Sequence, residues 1–110
     1  MSLPDTDAVS RALDFLASTD EEFAGLKGDM KRCEYMLKHH KAVAQIESGE
    51  KTAAAKEMIA YSSDEYVAAV DALHDAITEY ETVSAKRQRA VLTIEVWRSL
   101  NSARKQGASI

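Results

Sequence analysis

Between Ser62 and Arg104 the chain contains neither glycine nor proline. Across that run Tyr66, Val70, Leu73, Ile77, Tyr80, Val83 or Ser84, Arg87, Val91, Ile94, Trp97 and Asn101 recur at spacings of three and four. Apolar residues at this period line one face of an α-helix and form a coiled-coil-like stripe. A helix over 63–105 would be roughly 60 Å long at 1.5 Å per residue. A compact domain of about this length has a radius of gyration near ~13 Å. The helix therefore outruns any globule that one chain can close around it, and must either kink or be covered by another chain. Ser62 and Glu65 stand in capping-box register at its start.

The rest of the chain is also helical in pattern. Four glycines and one proline, Pro4, are too few for a loop-rich or all-β protein. Thr6 is placed to cap a short helix running to about residue 17, with Val9, Ala12, Leu13, Phe15 and Leu16 on its apolar side. Ser18-Thr19-Asp20 predicts a break, and Thr19 with Glu22 makes a second capping box. Phe23, Leu26, Met30, Cys33, Leu37, His40, Ala44 and Glu47 then hold a heptad seam. Gly25 and Gly28 weaken its first turns, each by up to ~1 kcal/mol relative to Ala, unless they allow close backbone approach. Ser48-Gly49-Glu50 predicts an interruption before the Ala-rich stretch to Ala60, and Gly107 and Ser109 predict a frayed tail. The expected architecture is all-α in one domain over 1–110. It has an N-terminal helix within 1–18, a second helix over 20–60 interrupted near 48–50, and a long helix over 63–105 that forms a hairpin with the second and oligomerises.

Charge is segregated along the chain beneath a net −4. Residues 1–30 carry seven acids and two bases, 31–60 four acids and six bases, 61–82 six acids and no base, and 83–110 one acid, Glu95, and six bases. The long helix is thus acidic at its start and basic at its end, which suits the helix macrodipole and attraction between unlike ends of two subunits. Lys86-Arg87-Gln88-Arg89, Arg98, Arg104 and Lys105 form its basic surface. Lys86 and Arg89 are neighbours on one helix face, where phosphate contact competes with a solvated or salt-bridged role. Arg87 lies in the apolar stripe and must snorkel or pair with an acid from another helix.

No catalytic motif emerges, and no cofactor is implied. Adjacent His39 and His40 point about 100° apart on a helix and do not chelate one metal together. Asp71, His74, Asp75 and Glu79 have ligand-like spacing, but the paired Glu-x-x-His pattern of a carboxylate-bridged metal bundle is absent. There is no Gly-rich phosphate loop and no nucleophile motif. Cys33, the only cysteine, excludes an intramolecular disulfide and sits in the apolar seam. No stretch reaches the ~18 apolar residues of a membrane span, and the start, with Asp5 and Asp7, lacks signal-peptide order. A cytoplasmic protein is expected, without membrane partners.

Arg87-Gln88-Arg89-Ala90-Val91-Leu92-Thr93-Ile94-Glu95-Val96-Trp97-Arg98 resembles the final helix of small helical proteins encoded by phages and prophages. Gln45-Ile46-Glu47, through Lys51 and Ala53 to Tyr61-Ser62, is similar to the phage recombination mediators of the UvsY type. Together these stretches cover about a quarter of the chain. The resemblance implies an all-helical oligomer that binds single-stranded DNA and works beside recombination proteins, with Lys51, Lys56, Arg87 and Arg98 as its matching cations. Positions 52–60 depart from it in being Ala-rich and in carrying Glu57.

The expectation drawn from residues and resemblance together is a non-enzymatic, homo-oligomeric accessory protein of DNA recombination or replication that binds single-stranded DNA weakly. Lys51, Lys56, Lys86, Arg87, Arg89, Arg98, Arg104 and Lys105 are its candidate phosphate contacts. Leu73, Ile77, Tyr80, Val91, Ile94 and Trp97 are its candidate oligomer interface. The alternative is a structural coiled-coil adaptor or phage assembly protein with protein partners only.

Overall fold

Asp5 opens the first helix. Its Oδ1 accepts from the Ala8 amide at 2.8 Å and its carbonyl from the Val9 amide at 3.1 Å. The cap is therefore Asp5 rather than the expected Thr6, which places a carboxylate at the positive end of the helix. The structure is a computed structural model that describes residues 3–108. Among these residues it has three helices and no strand: α1 Thr6–Glu47, α2 Ala53–Ser62 and α3 Asp64–Ala108.

The break expected at Ser18-Thr19-Asp20 does not occur, and α1 runs straight through it. Ser18 Oγ and Thr19 Oγ1 both donate back to the Phe15 carbonyl, at 3.2 and 2.7 Å, the backward bond of hydroxyls inside a continuous helix. The inward positions also stay in phase, since Val9, Ala12, Leu16, Thr19, Phe23, Leu26, Met30, Cys33, Leu37, His40 and Ala44 are all buried or half-buried. Gly25 and Gly28 face open space, so neither serves a close helix approach.

The interruption expected at 48–50 is present. Ser48 Oγ donates to the Gln45 carbonyl at 2.9 Å and accepts from the Glu50 amide at 3.2 Å. Gly49 follows with φ of 72°, the left-handed conformation that ends many helices and that glycine adopts without a Cβ penalty. Thr52 Oγ1 then caps α2 by accepting from the Ala55 amide at 3.1 Å. Ser63, extended at φ −70° and ψ 145°, serves two helices. Its amide and hydroxyl donate to the Ala60 carbonyl, while the same hydroxyl accepts from the Tyr66 amide at 3.3 Å. The expected cap, Ser62, instead turns its hydroxyl back onto the Met58 and Ile59 carbonyls. At the other end Gly107 is helical, contrary to the expected fraying, while Ser109 lies outside the described residues.

The chain divides into two compact units. One joins the chain up to Phe23 with the part from Thr82 onward, and the other is Ala24–Glu81. In the first, α1 and α3 pair antiparallel with Val9, Ala12, Thr19 and Ala90 buried. In the second, α2 joins the two long helices, Ala60 is fully buried and Ala69 nearly so. No large side chain is fully buried among the described residues.

The inward positions of α3 differ from the expected stripe in a consistent way. Ala69, Ala76 and Ala90 turn inward, while their neighbours Val70, Ile77 and Val91 remain 40, 38 and 41% exposed. Both choices satisfy three/four spacing, and alanines let the helix axes come closer than valine or isoleucine would. Of the six residues expected at an oligomer interface, Leu73, Tyr80, Ile94 and Trp97 are half-buried within the chain. Ile77 and Val91 stay on the outer flank.

Candidate functional site

The most fully bonded polar group of the first unit is the guanidinium of Arg87. Its position in the apolar stripe sends it across the hairpin onto α1. There Nη1 donates to the Leu16 carbonyl at 2.9 Å and to Thr19 Oγ1 at 2.7 Å, and Nη2 donates to Asp20 Oδ1 at 2.8 Å. The guanidinium carbon lies 4.9 Å from the centre of the Phe23 ring, within cation–π range. Thr19, the only buried polar residue among those described, gives its proton to Phe15 and offers its lone pair to Arg87. The Arg87 side chain is 19% exposed and that of Asp20 66%, so one end of the ion pair is dry and the other wet. Such a polar group in an apolar seam fixes register and orientation, because a shifted pairing leaves its donors without acceptors. Of the two expected roles, snorkelling or pairing with an acid from another helix, the second is met within the chain. Both Nη1 donors and one Nη2 donor are thus engaged on α1 rather than free for a phosphate.

The other basic residues are distributed differently. Lys86 and Arg89 are exposed and are joined across the hairpin by Arg11 of α1, around a shallow groove floored by Ala8, Ala12, Phe15, Ala90 and Thr93. No acid lines this groove, and none of its three cations makes an ion pair among the described residues. Arg11 was not a sequence candidate because only the antiparallel register places it beside Lys86 and Arg89. Arg98, Arg104 and Lys105 are exposed further along α3. Lys51 and Lys56 belong to the second unit, the former exposed before α2 and the latter half-buried on it.

The second unit holds a separate polar cluster that docks α2 on α1. Lys41 Nζ donates to Glu57 Oε1 at 3.2 Å and to the Tyr61 hydroxyl at 3.0 Å, and that hydroxyl donates to Glu57 Oε1 at 3.1 Å. Nζ lies 4.6 Å from the Tyr61 ring centre but closer to its oxygen, so the hydrogen bond governs the contact. Tyr61 also meets Tyr66 edge-to-face at 5.3 Å between ring centres. The bonds from Lys41 and then Tyr61 hold the Glu57 carboxyl below its ordinary range. The bonds to Tyr61 and then Glu57 raise the Lys41 ammonium above its own. Glu57, which departs from the DNA-binding pattern in sequence, thus has a structural task here.

Elsewhere the chemistry is sparse. The His39 and His40 rings meet edge-on at 5.6 Å. No group of three or more His, Cys, Asp or Glu is gathered in metal-ligating geometry among the described residues, and Asp71, His74, Asp75 and Glu79 all lie on an exposed face. Cys33 is half-buried beside Met36 and Ala69. Among the described residues no helix is long and apolar enough to cross a membrane. No protein-family model matches the chain, and no curated protein and no solved structure matches it significantly.

Replacing Arg87 with Ala should lower unfolding stability by about 1–3 kcal/mol, since it removes charge-assisted bonds from a half-dry site. Arg87→Met should recover part of that loss, because an apolar side chain of similar length fills the seam without a desolvated charge. Asp20→Ala, at the wet end, should cost under ~1 kcal/mol. Urea unfolding of the three variants checks this order.

The cluster on α2 makes its docking dependent on pH at both ends. Glu57 titrates lower in the folded chain than in the unfolded one, so its contribution is present above the ordinary carboxylate range and is lost as pH falls through the lowered value. Lys41 titrates higher when folded, so its contribution is complete below the ordinary 10.5 and is lost as pH rises through the raised value. A spectroscopic probe on α2 should report a small loosening at both extremes, since solvent screens the exposed cluster, and Glu57→Gln should flatten the acid limb.

Proposed function

We propose that this chain is a non-enzymatic helical assembly protein that works by packing against protein helices, and first of all against copies of itself. The observation that carries this reading is the closure of the hairpins over alanines, which leaves Leu13, Val67, Val70, Ile77, Val91 and Leu92 exposed. Exposed aliphatic residues on regular helices favour burial in a further helix–helix contact, at about 25 cal/mol per Å² removed from water. The occupant best matched to these surfaces is a second copy, because the chain carries six acids and no base over 61–82 and six bases against one acid over 83–110. Sedimentation velocity across the micromolar range should show concentration-dependent association. A compact monomer throughout that range would remove this reading.

A second reading is favoured by one specific observation, the gathering of Arg11 with Lys86 and Arg89 around a groove that no acid lines. It makes the assembled protein an accessory factor of phage-type DNA recombination or replication, with these cations on the phosphates of single-stranded DNA. Three phosphate contacts would give a slope of roughly −2 in log affinity against log salt. A slope near zero on an oligothymidine probe would eliminate phosphate contact.

A further inference from the structure

The first unit's groove is rimmed by cations, and the outer face of α3 in the second unit carries exposed acids. We propose that the groove ringed by Arg11, Lys86 and Arg89 is the docking site for the acidic outer face of α3 of a second copy, centred on Asp71 and Asp75. This inference rests on the self-association reading and names its contact.

The groove is built as a seat for a helix. Ala12 and Ala90 keep its floor low where α1 and α3 meet, Phe15 supplies an apolar wall, and the three cations stand at its rim with no ion pair among the described residues. Lys86 and Arg89, one turn apart on one face, match in spacing a pair of carboxylates one turn apart on a facing helix. Asp71 and Asp75 are such a pair. They are exposed, they form no ion pair among the described residues, and Val67 lies one turn before them at 49% exposed. Position 71 stands about 200° around the helix from the buried Ala69, so this face points away from the chain's own partners.

The alternative acidic stretch, at the start of α1, is interrupted by Arg11 itself and already commits Asp20 to Arg87. Residues 61–82 contain no base at all. The second unit also shows how this chain seats one helix on another, with a carboxylate of α2, Glu57, on a cation of α1, Lys41. The groove of the first unit has the cations and lacks the acids.

The test is a charge swap between two variants of the full chain. In one, Lys86→Glu and Arg89→Glu invert the rim; in the other, Asp71→Lys and Asp75→Lys invert the face. All four positions are exposed, so helicity by circular dichroism should be unchanged. Each variant alone should lose self-association by at least ~10-fold, since like charges then face each other across the contact. Mixing the two should restore association, because each inverted surface then meets an inverted partner. If the wild type associates and either variant associates equally well, or if the mixture fails to recover, the proposed contact is wrong while self-association stands. A monomeric wild type would remove both. A rim variant that keeps its self-association but loses an oligothymidine probe would assign the groove to nucleic acid and overturn the proposal.

Discussion

The seams of this protein close on alanine, and most of its other properties follow from that choice. Ala12, Ala60, Ala69 and Ala90 are four of the five buried apolar residues among those described. An alanine removes little area from water, so a seam built on it draws its strength from close backbone approach and from many small dispersion contacts. The same choice turns the bulkier neighbours outward. A hairpin that keeps Val70, Ile77 and Val91 on its flank has placed its larger aliphatic residues where another helix can reach them.

A seam of small residues has a weakness in specificity, because alanines accept one another in more than one register. The Arg87 network answers it in the first unit. Three acceptors from α1, the Leu16 carbonyl, Thr19 Oγ1 and Asp20 Oδ1, converge on one guanidinium, and a shift of either helix by one turn would leave buried donors unmet. Long-range charge acts in the same sense, since the antiparallel pairing sets the basic end of α3 beside the acidic start of α1. Arg87, the centre of the basic run that looks like a ligand signal in sequence, is therefore matched inside the chain. Arg11, Lys86 and Arg89 are different, because the register gathers three positive charges on one side of the hairpin.

The helical class and the long final helix were legible in the sequence, because a run without glycine or proline and a period near 3.6 leave no other economical structure. The interruption at Gly49 was legible for the same kind of reason, a local one. What misled was hydroxyl chemistry. Thr6, Ser18, Thr19 and Ser62 each have the side chain of a helix cap, yet Ser18, Thr19 and Ser62 bond backward to carbonyls of their own helix and Asp5 takes the place of Thr6. A backward bond and a cap use the same residue types, so only the phase of the seam distinguishes them. Thr19 falls in phase with Leu16 and Phe23, and that was the available signal for an unbroken helix. For α3 the valine–isoleucine and alanine phases fit the spacing equally well, and nothing local in the sequence decides between them. Arg11 was beyond reach, since its neighbours come from a register that no local pattern specifies.

The two units illustrate how one sequence pattern yields unlike surfaces. In the second unit α2 is fastened to α1 by Lys41, Glu57 and Tyr61, and the carboxylate it brings satisfies the cation it meets. The fastening is exposed enough that solvent competes with it, so α2 is held by geometry and by the burial of Ala60 as much as by charge. Arg11, Lys86 and Arg89 of the first unit have no such carboxylate among the described residues. Like charges gathered at a rim repel one another and weaken the fold that holds them, and an incoming carboxylate relieves that repulsion as well as forming its own contacts. A cationic rim over a low apolar floor thus favours an acidic helical occupant over a neutral one, and its affinity should fall with salt for the same reason.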